Sequence, residues 1–254
     1  MSRAPGASAR KRERLRKPGI RGKIENVKQT GPAELPAWLP SGRHDIPRDV
    51  VIRSQRARVL RAMAESTAER GYAATTVAQV IDRAGVSRAT FYELFADKED
   101  CLLAAIREVV GRATTTVAEA RSRSDEDLGS LGAGIRALLE LFSAEPAFAR
   151  LTVLECRSST PRALELYLST VRATVSLLAQ GEFASGGPVP PDVAARAAFG
   201  GVEALIRKEI ENGRAENLPE LLPQLVYCAL VPFQGIEEAL RRASFAREQS
   251  TMGG

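Results

Sequence analysis

The stretch AERGYAATTVAQVIDRAGVSRATFYELFADKEDCLLAAI, residues 68–106, decides the fold of this chain. Within it, Thr76-Val77-Ala78-Gln79 is a capping-box pattern that predicts a short helix over 77–84. Gly85 provides a residue suited to a tight turn, and Ser87 is a favourable N-cap for a second short helix. Two short helices joined through a glycine turn are typical of a helix-turn-helix.

Helical periodicity continues on both sides of this stretch. Upstream, the apolar spacing predicts a helix over 54–70 that ends at Gly71, and downstream Asp97 is a predicted N-cap. No segment alternates as a strand does, so the sequence predicts an all-α protein. The predicted later helices span residues 126–143, 146–157, 161–182, 191–214 and 218–245.

The composition excludes several classes of protein. Among 254 residues there is one histidine, His44, and three cysteines, which are Cys101, Cys156 and Cys228. These residues are too few and too scattered for a zinc site or a disulfide framework, so we expect no metal, no cofactor and a reducing cytoplasm. No nucleophile–base pair is evident, and we expect the chain not to be an enzyme. No apolar run is long enough for a membrane span.

The positive charge is concentrated at the amino terminus. The chain carries 36 Lys and Arg against 31 Asp and Glu, a net charge of +5, whereas residues 1–28 alone carry +8 and residues 54–110 sum to zero. A basic segment with few apolar residues predicts a disordered arm, which either serves solubility or neutralises nucleic-acid phosphates. Pro and Gly punctuate the linker that follows.

The second short helix has the residue types that read DNA. A helix-turn-helix lays the start of its second helix in the major groove. Here that helix begins Ser87-Arg88-Ala89-Thr90, which combines hydroxyls, a guanidinium for bidentate pairing with guanine, and apolar groups for the thymine methyl.

On these residues the segment from Gln55 to about Arg112 resembles the DNA-binding domain of the tetracycline-repressor (TetR) family of transcriptional regulators. The resemblance rests on Gly71-Tyr72 after the first helix, on Ala84 to Ser87 at the turn, and on Thr90-Phe91-Tyr92 in the reading helix. It continues with Phe95 and with Lys98-Glu99 at the start of the fourth helix. Leu94 and Ile81 depart from residues that the family often carries there.

The resemblance implies roles for individual positions. Thr76 and Ala78 correspond to positions that face DNA, and Ser87, Arg88, Ala89 and Thr90 to the base-reading end. Tyr92 and Lys98 correspond to phosphate contacts, although Tyr92 is open to a packing role instead. Phe91, Phe95, Val80 and Ile81 are predicted core residues.

The amino-terminal extension is longer than in many members of the family. About 53 residues precede the first predicted helix, and Leu39 to Val51 resembles an extension found in some actinobacterial members. The basic arm is therefore a candidate for non-specific attraction to DNA, since the predicted DNA-binding domain itself has no net charge.

The resemblance also implies a carboxy-terminal helical domain that binds a small-molecule effector and forms a homodimer. Apolar and aromatic residues with one carboxylate are candidates for an effector pocket, and each is open to a plain core role: Phe142, Phe148, Leu151, Glu155, Tyr167 and Phe199. Glu155 is also open to pairing with Arg157 or Arg162. The three cysteines are weak candidates for oxidant sensing.

A two-fold interface is expected from the last two predicted helices, which carry small and apolar residues. The candidates are Gly200, Gly201, Leu225, Val226, Ala229 and Phe233, with an intrachain core as the alternative for them. Pro232 is expected to kink the last helix.

The sequence thus predicts four regions: a basic tail and linker over 1–53, a helix-turn-helix domain over 54–112 with its motif at about 76–95, a helical effector and dimer domain over 113–245, and a tail over 246–254. We expect a cytoplasmic, nucleoid-associated bacterial regulator that binds double-stranded DNA as a homodimer and is released by an unknown small-molecule effector. The alternative is an architectural or constitutive DNA-binding protein without an inducer.

Overall fold

The computed structural model describes residues 47–124, 127–181 and 189–252, and every regular element in these ranges is a helix. The prediction of an all-α fold is confirmed. The predicted basic arm and His44 lie outside the described residues. Among the helices that are described, none is long and apolar enough to cross a membrane.

Four helices form the amino-terminal part of the described chain. They are α1 (Arg48–Ala74), α2 (Val77–Ala84), α3 (Arg88–Leu94) and α4 (Lys98–Ser122). The helix α1 begins six residues before the predicted start at 54, because neither Asp49 nor its neighbours break helical geometry. Gly71 leaves helical geometry with φ of 79°, so the predicted stop is a kink near the end of α1.

The remaining helices are α5 (Gly129–Ala144), α6 (Pro146–Arg150), α7 (Cys156–Ser158), α8 (Pro161–Gln180), α9 (Pro191–Glu211) and α10 (Leu222–Met252). A π-helical turn, Leu151–Glu155, joins α6 to α7, and a 3₁₀ segment, Ala215–Leu221, precedes α10. The single helix predicted over 146–157 is therefore three short pieces. Proline occupies the first turn of α6, α8 and α9, where a missing N–H leaves no bond unmade.

Two predictions at the carboxy terminus are wrong. The last helix continues to Met252 instead of ending at 245, because Ala246 is fully buried and the chain stays helical beyond it. The break in α10 lies at Gly235, with φ of 80°, three residues after the Pro232 to which we assigned the kink. Glycine adopts this conformation with little steric penalty.

One continuous hydrophobic core runs through the described helices. In the amino-terminal part Val80, Phe91 and Phe95 are buried, as predicted, while Ile81 is half-buried against the core. The same cluster extends through α5 and the π-helical turn into α9 and α10. The helices that surround the helix-turn-helix and the carboxy-terminal helices are thus packed as one unit.

Candidate DNA-reading face and effector cavity

Side-chain caps define the helix-turn-helix. The Thr76 hydroxyl accepts the Gln79 N–H at 3.3 Å and the Gln79 side chain accepts the Thr76 N–H at 2.9 Å, so the predicted capping box is formed. Gly85 ends α2 in the left-handed region, with φ of 60°. Ser87 then caps α3 by accepting the Thr90 N–H at 3.0 Å. These local bonds set where the reading helix begins.

The residues predicted to face DNA lie at the surface around α2 and α3. Six of the eight are exposed and two are half-buried: Thr76, Ala78, Ser87, Arg88, Ala89 and Tyr92 are exposed, whereas Thr90 and Lys98 are half-buried. The Ser87 and Thr90 hydroxyls lie 2.9 Å apart and hydrogen-bond to each other. Part of their bonding capacity is therefore used within the cap.

Tyr92 and Arg88 form a pair on the outer side of α3. The Tyr92 ring is 46% exposed and meets the Phe91 ring edge-on, with centroids 5.3 Å apart. The Arg88 guanidinium lies 5.6 Å from the Tyr92 ring centroid, within range of a cation–π contact. Packing alone does not explain Tyr92, because nearly half of the side chain is exposed.

The two arginines of the helix-turn-helix, Arg83 and Arg88, differ in their ionic partners. Arg83 binds Glu69 at 2.6 Å and approaches Glu65 at 3.6 Å, and hydrogen bonds from Arg83 and Arg70 lower the pKa of Glu69. Arg88 forms no ion pair with any carboxylate of the described chain. Its guanidinium is thus available to an external acceptor.

Lys98 has a role that the sequence did not indicate. Its ammonium donates to the Tyr72 carbonyl at 3.0 Å and to the Thr75 carbonyl at 2.8 Å, and it lies 4.0 Å from the Tyr72 ring centroid. An ammonium has three N–H donors, so two are used inside the protein. Lys98 therefore ties the start of α4 to the segment that links α1 to α2.

An apolar cavity of about 380 Å³ lies between α4, α5, α8, α9 and the π-helical turn. Three of the six predicted pocket residues line it, namely Phe142, Tyr167 and Phe199. Phe148 and Leu151 are buried outside its lining. The size and the mostly apolar wall are typical of small-molecule sites.

Glu155 does not line the cavity but contacts the DNA-binding part of the chain. Its carboxylate accepts the Tyr72 backbone N–H at 3.2 Å. The suggested pairing with Arg157 or Arg162 is wrong, because Arg157 binds Glu203 at 2.8 Å and Arg162 binds Glu99 at 3.3 Å. Thr152, Val153 and Cys156, beside Glu155 in the chain, do line the cavity.

The helix α4 contributes to the cavity in a way that the sequence did not predict. Residues on one face of α4 form a wall, at helical spacing from Ile106 through Val110, Thr114 and Val117 to Arg121. This spacing of three or four residues is present in the sequence, but the same pattern describes any helix that packs on a core.

Burial makes two of the cysteines poor nucleophiles. Desolvation raises the pKa of the Cys156 thiol to about 12 and raises the pKa of Cys101 as well. The thiolate is the reactive form, so both sulfurs stay protonated near neutral pH. Cys228 is half-buried.

The structure places most of the predicted dimer residues inside the single chain. Leu225, Val226, Ala229 and Phe233 are at most 2% exposed, so the prediction that they form the interface is wrong and the intrachain core accounts for them. Gly200 is exposed and Gly201 is half-buried against Cys228. Gly200 on α9, and Ile236 and Leu240 on the face of α10 that does not pack on the core, remain at the surface.

Comparison with known families agrees with this geometry. Residues 59–105, which include α2, α3 and the start of α4, match the family described as bacterial regulatory proteins, tetR family. No match was found among curated protein sequences.

Solved structures share the fold at low sequence identity. The fatty acid degradation regulator FadR from Bacillus halodurans superposes with a TM-score of 0.63 at 19% identity, covering 72% of this chain and 96% of that one. FadR from Bacillus subtilis, solved with stearoyl-CoA, gives 0.60 at 21% identity, covering 71% and 99%. NalD from Pseudomonas aeruginosa gives 0.54 at 20% identity, covering 73% and 98%.

The helix-turn-helix with its exposed second helix, together with the family match over residues 59–105, identifies a DNA-binding transcriptional regulator. The part of the chain that matches the tetR family is the DNA-binding domain, over residues 59–105.

Proposed function

We propose that this regulator is a dimeric repressor that a small-molecule effector releases from operator DNA. The observation that carries the proposal is the π-helical turn between cavity and helix-turn-helix. Thr152 and Val153 of this turn line the cavity, and Glu155 of the same turn holds the Tyr72 N–H just before α2. A ligand that displaces the turn would therefore shift the helix-turn-helix, and by linkage DNA would weaken the binding of that ligand.

The reading face of this proposal is the start of α3. Arg88, which has no internal ion pair, pairs with a guanine edge, and Ser87, Ala89 and Thr90 make shorter contacts in the major groove. Thr76, Ala78 and Tyr92 approach the phosphate backbone, which fixes the register without reading bases.

The basic arm adds attraction that does not depend on sequence. Residues 1–28 carry +8 while residues 54–110 carry no net charge, so we propose that the arm neutralises phosphates beside the operator. Deleting it should weaken binding to all DNA and flatten the dependence of affinity on salt. An unchanged salt slope would argue for a solubilising arm.

The proposed dimer uses the outer face of α9 and α10. Val193, Ile236 and Leu240 are 49%, 60% and 52% exposed, although a large apolar side chain is normally placed inside a core. Gly200, on the exposed face of α9, permits close approach of a second helix. A two-fold axis through this face would set two α3 helices about one turn of DNA, ~34 Å, apart.

Structural neighbours are consistent with the effector and with repression. FadR from Bacillus subtilis was solved in complex with stearoyl-CoA, and NalD is described as the secondary repressor of a multidrug efflux pump. One structure of this fold thus holds a bound small molecule and another is a repressor, which supports the proposal.

The first experiment is selection of bound sequences from a random pool of duplex DNA at near-physiological salt. Enrichment of an inverted repeat with half-sites one helical turn apart supports a symmetric dimer that reads bases. Binding without enrichment would point to the architectural alternative.

The second experiment tests the dimer and release by an effector. Light scattering should give twice the chain mass for the wild type and a lower mass for Ile236→Glu, with the exposed Glu237→Gln as a matched control. Compounds that bind the cavity should then lower the affinity for the selected operator. If compounds occupy the cavity and none changes the affinity, the inducer-free alternative is correct.

A further inference from the structure

The charged groups in the cavity wall differ in whether they have an ionic partner. Two ionised side chains line it, Glu203 and Arg121. Glu203 is neutralised, because Arg157 binds it at 2.8 Å and Arg207 approaches it at 3.7 Å. Arg121 forms no ion pair and no side-chain hydrogen bond within the part of the chain that the structure describes, and its Nε atom is buried without a partner.

The other polar side chains of the wall are already bonded. Thr114 donates to the Val110 carbonyl and Thr174 to the Thr170 carbonyl, while the Tyr167 hydroxyl accepts from Arg157. Thr152, Thr170 and Cys156 likewise donate to backbone carbonyls four residues earlier in the chain. Arg121 is therefore the lining residue whose polar group lacks a partner among the described residues.

The position of Arg121 is set by close packing. Its aliphatic stem lies against Gly134 of α5, where an added Cβ would be 3.1 Å from the Arg121 Cγ and from a methyl of Val117. Glycine at 134 thus leaves room for the arginine stem between α4 and α5. The side chain is held at the cavity wall by this packing.

A partly desolvated guanidinium without an anion is unfavourable. An arginine in apolar surroundings normally gains a carboxylate or a phosphate, which it binds through two parallel hydrogen bonds. The protein provides no such partner among the described residues. The N–H donors of the Arg121 guanidinium can therefore bind an anionic oxygen group of a ligand.

The rest of the wall suits an extended apolar chain. Ile106 and Arg121 lie at opposite ends of the α4 wall, fifteen positions apart, which corresponds to ~22 Å at the helical rise. Between them the lining is mainly aliphatic, with Val109, Val117 and Leu138 among its members.

We propose that the cavity binds an elongated amphipathic anion, with its acidic head group on Arg121 and its hydrocarbon chain along α4 toward Ile106. This inference rests on the proposed function of the cavity as the effector site, and it specifies the chemical class of that effector. The head group is a carboxylate or a phosphate, since a guanidinium recognises both.

The test is calorimetric titration of the full chain with three probes that share one hydrocarbon tail: dodecanoate, dodecyl phosphate and dodecan-1-ol. The wild type should bind at least one of the anions about tenfold or more tightly than the alcohol, since a hydrogen bond to a charged group contributes about 1.5–3 kcal/mol. Whichever anion binds more tightly identifies the head group.

A matched pair of variants locates the anion. Arg121→Gln should abolish the preference for the anion and leave binding of the alcohol unchanged. Arg123→Gln is the control, because Arg123 is two residues away, 76% exposed and absent from the lining. Circular dichroism verifies folding, and if Arg121→Gln is unstable, Arg121→Met replaces it with the same expected loss, because methionine keeps an aliphatic stem against Gly134 but carries no charge.

The outcomes separate this inference from the proposed function. Equal binding of alcohol and anions by the wild type, binding of no probe, or an unchanged preference in Arg121→Gln would overturn the inference. If dodecanoate or dodecyl phosphate binds through Arg121 but leaves operator affinity unchanged, the inference about the ligand class is supported. The proposal that such a ligand releases the protein from DNA would then be wrong.

Discussion

The carboxylate of Glu155 accepts a hydrogen bond from the backbone N–H of Tyr72 at 3.2 Å, although the two residues are 83 positions apart. Tyr72 directly follows Gly71, where α1 is kinked, and precedes the helix-turn-helix. Glu155 ends the π-helical turn, of which Thr152 and Val153 line the cavity. This bond joins the wall of the cavity to the entry of the DNA-reading unit.

Removing the Glu155 carboxylate should loosen this junction. In Glu155→Ala we expect the Tyr72 amide to exchange its hydrogen about tenfold or more faster, because a hydrogen bond to a charged group contributes about 1.5–3 kcal/mol. Hydrogen exchange of the peptide that contains Tyr72 measures the effect. Glu155→Gln retains an oxygen acceptor and should be intermediate.

Glu165→Ala is the matched control for the Glu155 variant. Glu165 is exposed on α8 and should leave the exchange of Tyr72 unchanged. Equal exchange in Glu155→Ala and in the wild type would show that the bond does not hold the junction.

Removing the guanidinium of Arg88 should relax sequence preference. Arg88→Ala is expected to lower operator affinity by about 1–3 kcal/mol and to reduce discrimination at one base pair of each half-site. Competition binding against operators with single base changes measures both. Arg162→Ala, on α8, should change neither quantity.

If Arg88 only contacts phosphate, the Arg88→Ala variant would bind all sequences more weakly by the same factor. That uniform loss would contradict a base-reading role.

Replacing Lys98 should affect stability as well as DNA binding. Lys98→Met removes two charge-assisted hydrogen bonds to the Tyr72 and Thr75 carbonyls, so the free energy of unfolding should fall by about 2 kcal/mol. Urea denaturation measures this change, and Lys208→Met, at an exposed position on α9, serves as the control. Weakened DNA binding with unchanged stability would mean that Lys98 acts on phosphate alone.

Two glycine-to-alanine substitutions should change the stability of the protein in opposite directions. Gly85→Ala places a side chain at φ of 60° and should destabilise the protein by about 1–2 kcal/mol, even though the nearest atom, on Arg58, is 3.5 Å from the new Cβ. Gly111→Ala, within α4 and with open space around it, should stabilise by about 0.5–1 kcal/mol. Thermal unfolding of both variants compares them, and equal shifts would contradict the backbone explanation.

The sequence by itself determined the local architecture of the helix-turn-helix. Thr76, Gly85, Ser87 and Asp97 act within three or four residues of their own positions, so their bonds follow from sequence spacing alone. The caps also fix Ser87 as the residue after which α3 begins. For this reason the sequence alone indicates Ser87, Arg88, Ala89 and Thr90 as candidate DNA-reading residues.

Only the tertiary structure decided which apolar residues of the later helices face the core, the cavity or solvent. Leu225 and Ile236 lie on the same helix α10, yet Leu225 is fully buried and Ile236 is 60% exposed. Helical spacing identifies a face but not the helix that covers it.

The two contacts on which the proposed regulation rests are also tertiary. Glu155 meets Tyr72, and Arg121 lies against Gly134 at the cavity wall without a partner among the described residues. Spacing along the chain carries no information about such contacts, because they depend on how distant helices pack. Local hydrogen bonds thus determined the reading unit, whereas long-range packing determined the cavity and its connection to that unit.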